Sequence, residues 1–381
     1  MPASIHTIET IEELDSLKEE WFQFADQIQD LPPFCRPNTW VPALASLLAT
    51  NQRGETLVSR NRRIKGIIVE IREDGVLQAV FALYQKGRSL CSFSENDIDY
   101  QDIQALSIDA ACDALNAAIS YSVESKLIFL LGLISEQSML ASALGRNPEQ
   151  AGVSIFRRYF GVCIVSDFEI PDKQGENFKL VVPRRYKKSY RSASKRITSE
   201  FPDHHFELKW GSEITRSDIE SVAVLHIENQ EERPGPSVFN SSTYVDFLTR
   251  QALAHPDFLM ARLLCRDEVI AFGLGYADGP TFHYYITGFN RKFASFGPGI
   301  WIMINTCSAL IDKFDTDRFR VDFLTGNESY KSHWETGRYY VDRVVIIPKN
   351  LRRWPWAIAY RLLYQIKEAK NRLFKIGPWA Q

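Results

Sequence analysis

No apolar stretch in this 381-residue chain reaches the roughly 18 residues that a membrane-crossing helix needs. The six cysteines stand far apart, at positions 35, 91, 112, 163, 265 and 307, with no Cys-x-x-Cys pair and no metal-type spacing. A secretory apolar segment after Met1 is missing as well, so the expectation is a cytoplasmic protein whose thiols stay unpaired and buried as small apolar groups. His226, His255 and the His204-His205 pair fall at no ligand spacing, and no zinc site is expected. Charge of one sign is also lacking: 45 Lys plus Arg face 47 Asp plus Glu, a net of −2, so no overall field draws the chain to nucleic acid.

What is present is the composition of an ordinary globular protein, 45% hydrophobic and 24% charged. The length exceeds what one hydrophobic core usually serves, which implies two domains. In the first half, Thr10 followed by Glu13 reads as a capping box for a helix through Trp21 and Phe24. A second helix spans Thr39 to Leu48. Arg63 to Ile71 and Gly75 to Tyr84 form a hairpin around Glu73-Asp74-Gly75, because Asp-Gly between β-rich runs favours a tight turn. A helix at Ser107 to Val123, a strand at Lys126 to Leu131 and a helix at Ile134 to Leu144 follow.

The second half repeats that order. A basic helix near Arg185 to Thr198 leads to a strand at His205 to Trp210 and helices near Arg216 to Ile227 and Ser242 to Ala254. Strands follow at Phe258 to Cys265, Glu268 to Tyr276 and Thr281 to Phe289. Then Phe296-Gly297-Pro298-Gly299 opens an apolar helical run from Ile300 to Leu310. At that point unpaired backbone N–H groups and the positive dipole end can hold a phosphate. Arg320 to Gly326, a short helix carrying Lys331, and a strand at Tyr339 to Ile347 complete the unit. The predicted fold is mixed α/β, a duplicated unit with its break near Asp167 to Asn177: residues 1–170, residues 171–348, and a basic amphipathic helix in residues 349–381.

Three features of the second half carry a resemblance: the Tyr284-Tyr285 strand, the loop ending in Phe296-Gly297-Pro298-Gly299, and Asp322-Phe323-Leu324-x-Gly326-x-x-x-Tyr330-Lys331-x-x-Trp334. Together they resemble the CelD/BcsL-type acetyltransferases, a branch of the GNAT superfamily that includes proteins of cellulose and exopolysaccharide synthesis. The similarity covers Phe178 to Ile347, with echoes at Trp21, Pro33-Phe34, Trp40 and Asp97 to Ile103. It implies tandem acyl-CoA N-acyltransferase (GNAT-like) domains with a degenerate first copy that walls the acceptor site. Acetyl-CoA or another acyl-CoA would be the co-substrate, without metal, and a small-molecule or sugar amine the acceptor. The usual acyl-CoA loop reads Gln/Arg-x-x-Gly-x-Gly/Ala, whereas this chain has Ala294 in the leading position. Arg291, Lys292 and Lys331 are candidates for the missing charge, beside loop residues Phe296, Gly297, Pro298 and Gly299.

In that family the pantetheine arm lies where two central strands splay, and a backbone amide on the strand before the loop meets the thioester oxygen. By resemblance that strand is Phe282 to Gly288. Tyr284 or Tyr285 faces the cleft as a proton donor to the leaving thiolate, and only one can, since neighbours on a strand point to opposite faces. Asp322 is the candidate base, with Glu328 and His283 as rivals; Asp322 could instead cap the turn that follows it. Lys331 reaches a cofactor phosphate or a substrate carboxylate, or lies on the surface.

Two basic segments suggest partners. Arg184, Lys188, Arg191 and Lys195 share one face of a helix whose other face carries Tyr186, Tyr190, Ala193 and Ile197, which suits a solvated surface helix or an anionic partner. The tandem halves also resemble the Fem-type transferases, which use aminoacyl-tRNA; tRNA is the one nucleic acid expected, and only on that reading. The helix at Trp356 to Phe374, with Trp354, Trp356 and Trp379 at its ends, either packs onto the protein or makes peripheral contact with the inner face of a membrane. A non-catalytic accessory role at a membrane polysaccharide synthase is the remaining alternative.

Overall fold

The computed structural model describes residues 1–28, 31–52, 63–93, 98–146, 152–169, 184–230, 237–266, 268–326, 328, 330–351 and 355–373. The expected polar break at residues 171–177 lies outside the described residues. The chain divides into two compact units: Met1–Val162 with Tyr339–Gln381, and Cys163–Arg338.

The first stretch runs β1 (Ala3–Ile8), α1 (Ile11–Ala25), α2 (Pro37–Gln52), β2 (Ile64–Glu73), β3 (Val76–Lys86), β4 (Ser89–Cys91), β5 (Gln104–Ala105), α3 (Ile108–Glu124), β6 (Ile128–Ser135), α4 (Met139–Arg146) and β7 (Val153–Glu169). Then come α5 (Arg184–Glu200), β8 (His205–Trp210), α6 (Arg216–Gln230), α7 (Ser242–Ala254), β9 (Phe258–Cys265), β10 (Glu268–Asp278), β11 (Thr281–Phe289), α8 (Pro298–Phe314) and β12 (Arg318–Thr325). The chain closes with β13 (Gly337–Pro348) and α9 (Pro355–Leu373).

The two units repeat one plan. In the first, β1-β2-β3-β4 is an antiparallel meander, β6 joins β4 in parallel after α3, and β13 adds antiparallel to β6. In the second, β8-β9-β10-β11 is the meander, β12 joins β11 in parallel after α8, and residues of β7 add antiparallel to β12. Two helices precede the second strand of each meander, α1 and α2 in one case, α6 and α7 in the other. The duplicated mixed α/β architecture is therefore present strand for strand.

Local chemistry accounts for the element ends. The Thr10 Oγ1 accepts from the Glu13 amide and the Glu13 carboxylate accepts from the Thr10 amide, both at 3.2 Å, so the capping box of α1 closes in both directions. Asp74 and Gly75 both take positive φ, 50° and 82°, which matches the right-handed twist of the β2–β3 hairpin. Helix α4 begins at Met139, five residues later than the expected Ile134. The half-buried Asp102 carboxylate accepts from the Met139 and Leu140 amides at 3.0 and 2.7 Å, pinning the helix start there and leaving Ile134 in β6. Strands β1, β4, β5 and β7 are additions to the sequence reading. No disulfide joins any of the six cysteines, and all but the half-buried Cys112 are buried.

In the first unit, α3 and α4 cover one sheet face through Ala110, Ala114, Ala118, Leu140 and Leu144. In the second, α8 buries Met303, Ile304, Cys307, Leu310 and Ile311 against Phe282, Val321 and Phe323. A polar knot tightens the far edge of this unit: the Asp218 carboxylate accepts from Lys209 Nζ at 3.0 Å and from the Thr215 amide and hydroxyl at 2.8 Å, with Arg262 Nη2 2.7 Å away.

Burial opposes charge on Asp218, but those donors prevail and hold its carboxyl down at about 2. A free Asp titrates near ~3.9, so the knot's contribution is complete above that pH and lost as pH falls from about 4 towards 2. Asp218→Asn should lower the melting temperature at neutral pH and flatten its fall across this acid window. A variant that loses stability in parallel with the wild type from pH 4 to 2 would deny the knot that role.

Candidate functional site

Strands β11 and β12 pair in parallel at only three positions, Thr281 with Arg320, Phe282 with Val321 and His283 with Asp322. Beyond that point they part, while β11 continues to Phe289 and β12 to Thr325. Past His283 the backbone groups of β11 that point away from β10 are not paired with β12, which leaves a gap in the strand ladder. A bulge between Leu274 and Gly275 of β10 leaves Tyr285 opposite no residue and turns β11 at this place.

Side-chain alternation sorts the neighbours of the gap. Phe282, Tyr284, Val321 and Phe323 face α8 and join its core. His283, Tyr285 and Asp322 therefore take the opposite face. There His283 Nδ1 stands 3.6 Å from Asp322 Oδ2, both groups buried, at the last paired position before the strands diverge. Asp322 also accepts from the Leu324 amide at 2.9 Å, where Leu324 adopts a positive φ of 55°. The carboxylate thus bonds the chain two residues on and faces a histidine. Strand register brings Asp322 and its rival His283 into one pair.

The two tyrosines separate as alternation requires. Tyr284 is buried; its hydroxyl donates to Thr287 Oγ1 at 2.7 Å, and that hydroxyl donates to the Phe272 carbonyl at 3.0 Å. Burial pushes its phenol well above the ordinary range, and its ring packs in the core under α8. Tyr285 is half-buried and shares a 2.7 Å hydrogen bond with the Tyr244 hydroxyl of α7.

The glycine loop is more ordered than a simple turn. Residues Arg291–Phe296 wind as a 3-10 helix, and Gly297 follows with φ 72°, the left-handed conformation that favours glycine. Pro298 sits at the first turn of α8 without an N–H, so the donors left at the helix start belong to Gly299 and Ile300. No acid occupies this first turn. Phe296 packs with Phe293 against Phe201, ring centroids 5.4 Å from Phe201 in each case, and anchors the loop.

The cations behave differently from one another. Arg291 donates to the Asn229 carbonyl at 2.8 Å and so is tied to the end of α6. Lys331 is buried, 3.0 Å from the Glu328 carboxylate and donating to the Thr325 carbonyl at 3.2 Å. A Cβ at Gly326 would stand 2.2 Å from that carboxylate and 2.5 Å from Lys331 Nζ, so a side chain there would push the two charged ends aside. Lys331 and Glu328 thereby clasp the turn after β12. The charge beside the loop belongs to Arg196 of α5, whose Nη2 lies 3.8 Å from where a Gly297 Cβ would be, with the Ala193 methyl at 3.2 Å. Sequence reading placed position 196 within the basic helix Arg185 to Thr198 and gave it no role; the usable signal was Ala193, a small residue where another backbone comes close. Lys188, Arg191 and Lys195 are exposed, while Ala193 and Ile197 are buried, as the helical spacing predicted.

The equivalent place in the first unit is closed. Beyond Cys91, the Ser92 amide donates to the Leu130 carbonyl at 2.9 Å, the Gly132 amide to Ser92 Oγ at 2.8 Å and the Gln101 amide to the Leu133 carbonyl at 3.2 Å. These bonds stitch the line along which β4 and β6 would otherwise part. At the start of α3, Ser107 Oγ takes the Ala110 amide at 3.1 Å and Asp109 adds a negative charge. An anion has no seat there.

Residues 184–332 match the family described as Acetyltransferase (GNAT) domain. No curated protein matches the chain by sequence. Among solved structures, FemX superposes with a TM-score of 0.56 at 11% identity, over 93% of this chain and 100% of its own. L-PGS from Bacillus licheniformis gives 0.52 at 12% identity over 95% and 98%. The C-terminal domain of a putative lysylphosphatidylglycerol synthetase from Agrobacterium fabrum gives 0.53 at 11% over 95% and 97%. At such identities the likeness is one of fold. The splayed strands, the glycine-led helix start and the matched segment all lie in the second unit, so residues 184–332 are the part of the chain similar to a GNAT acetyltransferase domain, and the chain is an acyltransferase.

Proposed function

We propose that the second unit binds acetyl-CoA or another acyl-CoA and transfers the acyl group to an amine. The observation that supports this reading is the gap opening after His283 and Asp322 beside a helix start with free-facing donors and an arginine. The pyrophosphate would take the Gly299 and Ile300 amides and the Arg196 guanidinium, which supplies the charge that Ala294 does not. The pantetheine arm would follow the exposed edge of β11, whose amides meet the thioester carbonyl and stabilise the oxyanion of the tetrahedral intermediate.

In the transfer, the amine nitrogen bonds to the carbonyl carbon and the carbon–sulfur bond breaks. His283 would take the amine proton on Nε2, because Nδ1 faces Asp322, which positions the ring. Tyr285, through its bond to Tyr244, would return a proton to the leaving thiolate. The Asp322 to Trp334 pattern favours a CelD/BcsL-type acceptor, an amine in polysaccharide or cell-envelope precursor metabolism. A second reading is aminoacyl transfer from tRNA, supported by the exposed Lys188, Arg191 and Lys195 and by the fold shared with FemX.

Calorimetric titration with acetyl-CoA and longer acyl-CoAs, at two salt concentrations, separates the two. Micromolar acyl-CoA binding supports the proposal; no such binding, together with salt-sensitive aminoacyl-tRNA binding, contradicts it. Arg196→Ala should weaken acyl-CoA binding about tenfold at low salt, by a margin that shrinks as salt screens the exposed charge. Since Arg196 is exposed, its removal should leave the melting temperature unchanged, unlike any side chain placed at Gly297. His283→Ala and Asp322→Asn should lower kcat by about 10²–10⁴-fold with acyl-CoA affinity retained. Equal losses in affinity and turnover would reduce the pair to a structural element.

A further inference from the structure

Helix α9 turns its apolar face to solvent. Ile358, Leu362, Leu363 and Ile366 are 42%, 51%, 53% and 64% exposed, and their spacing of four, one and three residues gathers them on one side. The opposite side meets the first unit: Ala357 is buried, Tyr360 is half-buried and the Arg361 guanidinium lies 5.9 Å from the Phe156 ring centre. The orientation is the reverse of a surface helix that stabilises its own domain, where the apolar stripe is the buried one.

Charge identifies what such a face fits. Residues 349–381 hold eight of the chain's 45 Lys and Arg but only one of its 47 Asp and Glu, so this segment is strongly basic on a chain of net charge −2. Apart from its apolar face, the sequence places Trp354 and Trp356 at one end of the helix and Trp379 beyond the other. Two copies of so basic a segment repel each other, whereas an anionic surface with an apolar interior satisfies both the charge and the exposed aliphatic row. Among the described residues no helix is long and apolar enough to cross a bilayer, so the helix would lie in the interface.

We propose that α9 docks the protein on an anionic lipid surface, with Ile358, Leu362, Leu363 and Ile366 entering the acyl boundary and the basic residues meeting the headgroups. The acyltransferase reading neither requires this nor depends on it.

Co-sedimentation of the full chain with phosphatidylcholine vesicles, with and without phosphatidylglycerol, tests the proposal. Binding should need the anionic lipid and weaken with salt, and the double variant Leu362→Glu, Ile366→Glu should bind at least tenfold more weakly. Both positions are exposed, so the melting temperature should not change. Wild-type failure to bind either vesicle overturns the proposal, and so does undiminished binding of the double variant, which would reduce the contact to bare charge. Concentration-dependent dimerisation without vesicle binding would assign the face to a second copy and overturn it equally.

Discussion

One constraint governs the second unit: two parallel strands stay paired for three residues and then separate. A parallel pair must have its evenly spaced backbone bonds satisfied along its length, so strands that part need something else to meet the groups they expose. In the second unit the parting follows His283 and Asp322, and the groups opened along β11 look into a gap. Everything assigned to catalysis lies at its rim. The buried His283–Asp322 pair stands at the point of divergence, the bulge at Tyr285 turns the strand beside it, and the Gly297 turn places the start of α8 at the far end of β11.

The duplication shows what the gap requires, because the other copy lacks it. The parallel pairing of β4 and β6 is also three residues long, but Ser92 and Gln101 carry the hydrogen bonding onward to Leu130, Gly132 and Leu133. At the following helix, Ser107 occupies a donor that an anion would need and Asp109 repels one. Two copies of one strand order thus differ in a few polar contacts, which supports the view that the first copy does not bind acyl-CoA.

Much of the fold was legible because its signals are local. Thr10 and Glu13, Asp74-Gly75, and the spacing of Ala193 and Ile197 each fix an element through neighbouring residues, and the strands from Phe258 to Phe289 follow from their apolar runs and intervening turns. Strand β1 and the 17-residue β7 were missed because their pairing is distant in sequence, Ala3 with Ile71 and Glu169 with Arg318. The site was legible in its loop and in its list of acids and bases. It was not legible in its pairing: that His283 faces Asp322 depends on register between β11 and β12, and that Arg196 stands beside Gly297 depends on how α5 lies on α8. Nor does sequence distinguish a lysine turned inward, as Lys331 is towards Glu328, from one at the surface.

The claim that only the second copy receives the cofactor can be read directly by hydrogen exchange. On adding acetyl-CoA, the amides of Tyr284 to Phe289 and of Gly299 to Trp301 should gain protection, while those of Ile108 to Ala111 at the start of α3 stay unchanged. Protection at α3, or none at the α8 start, would contradict the account.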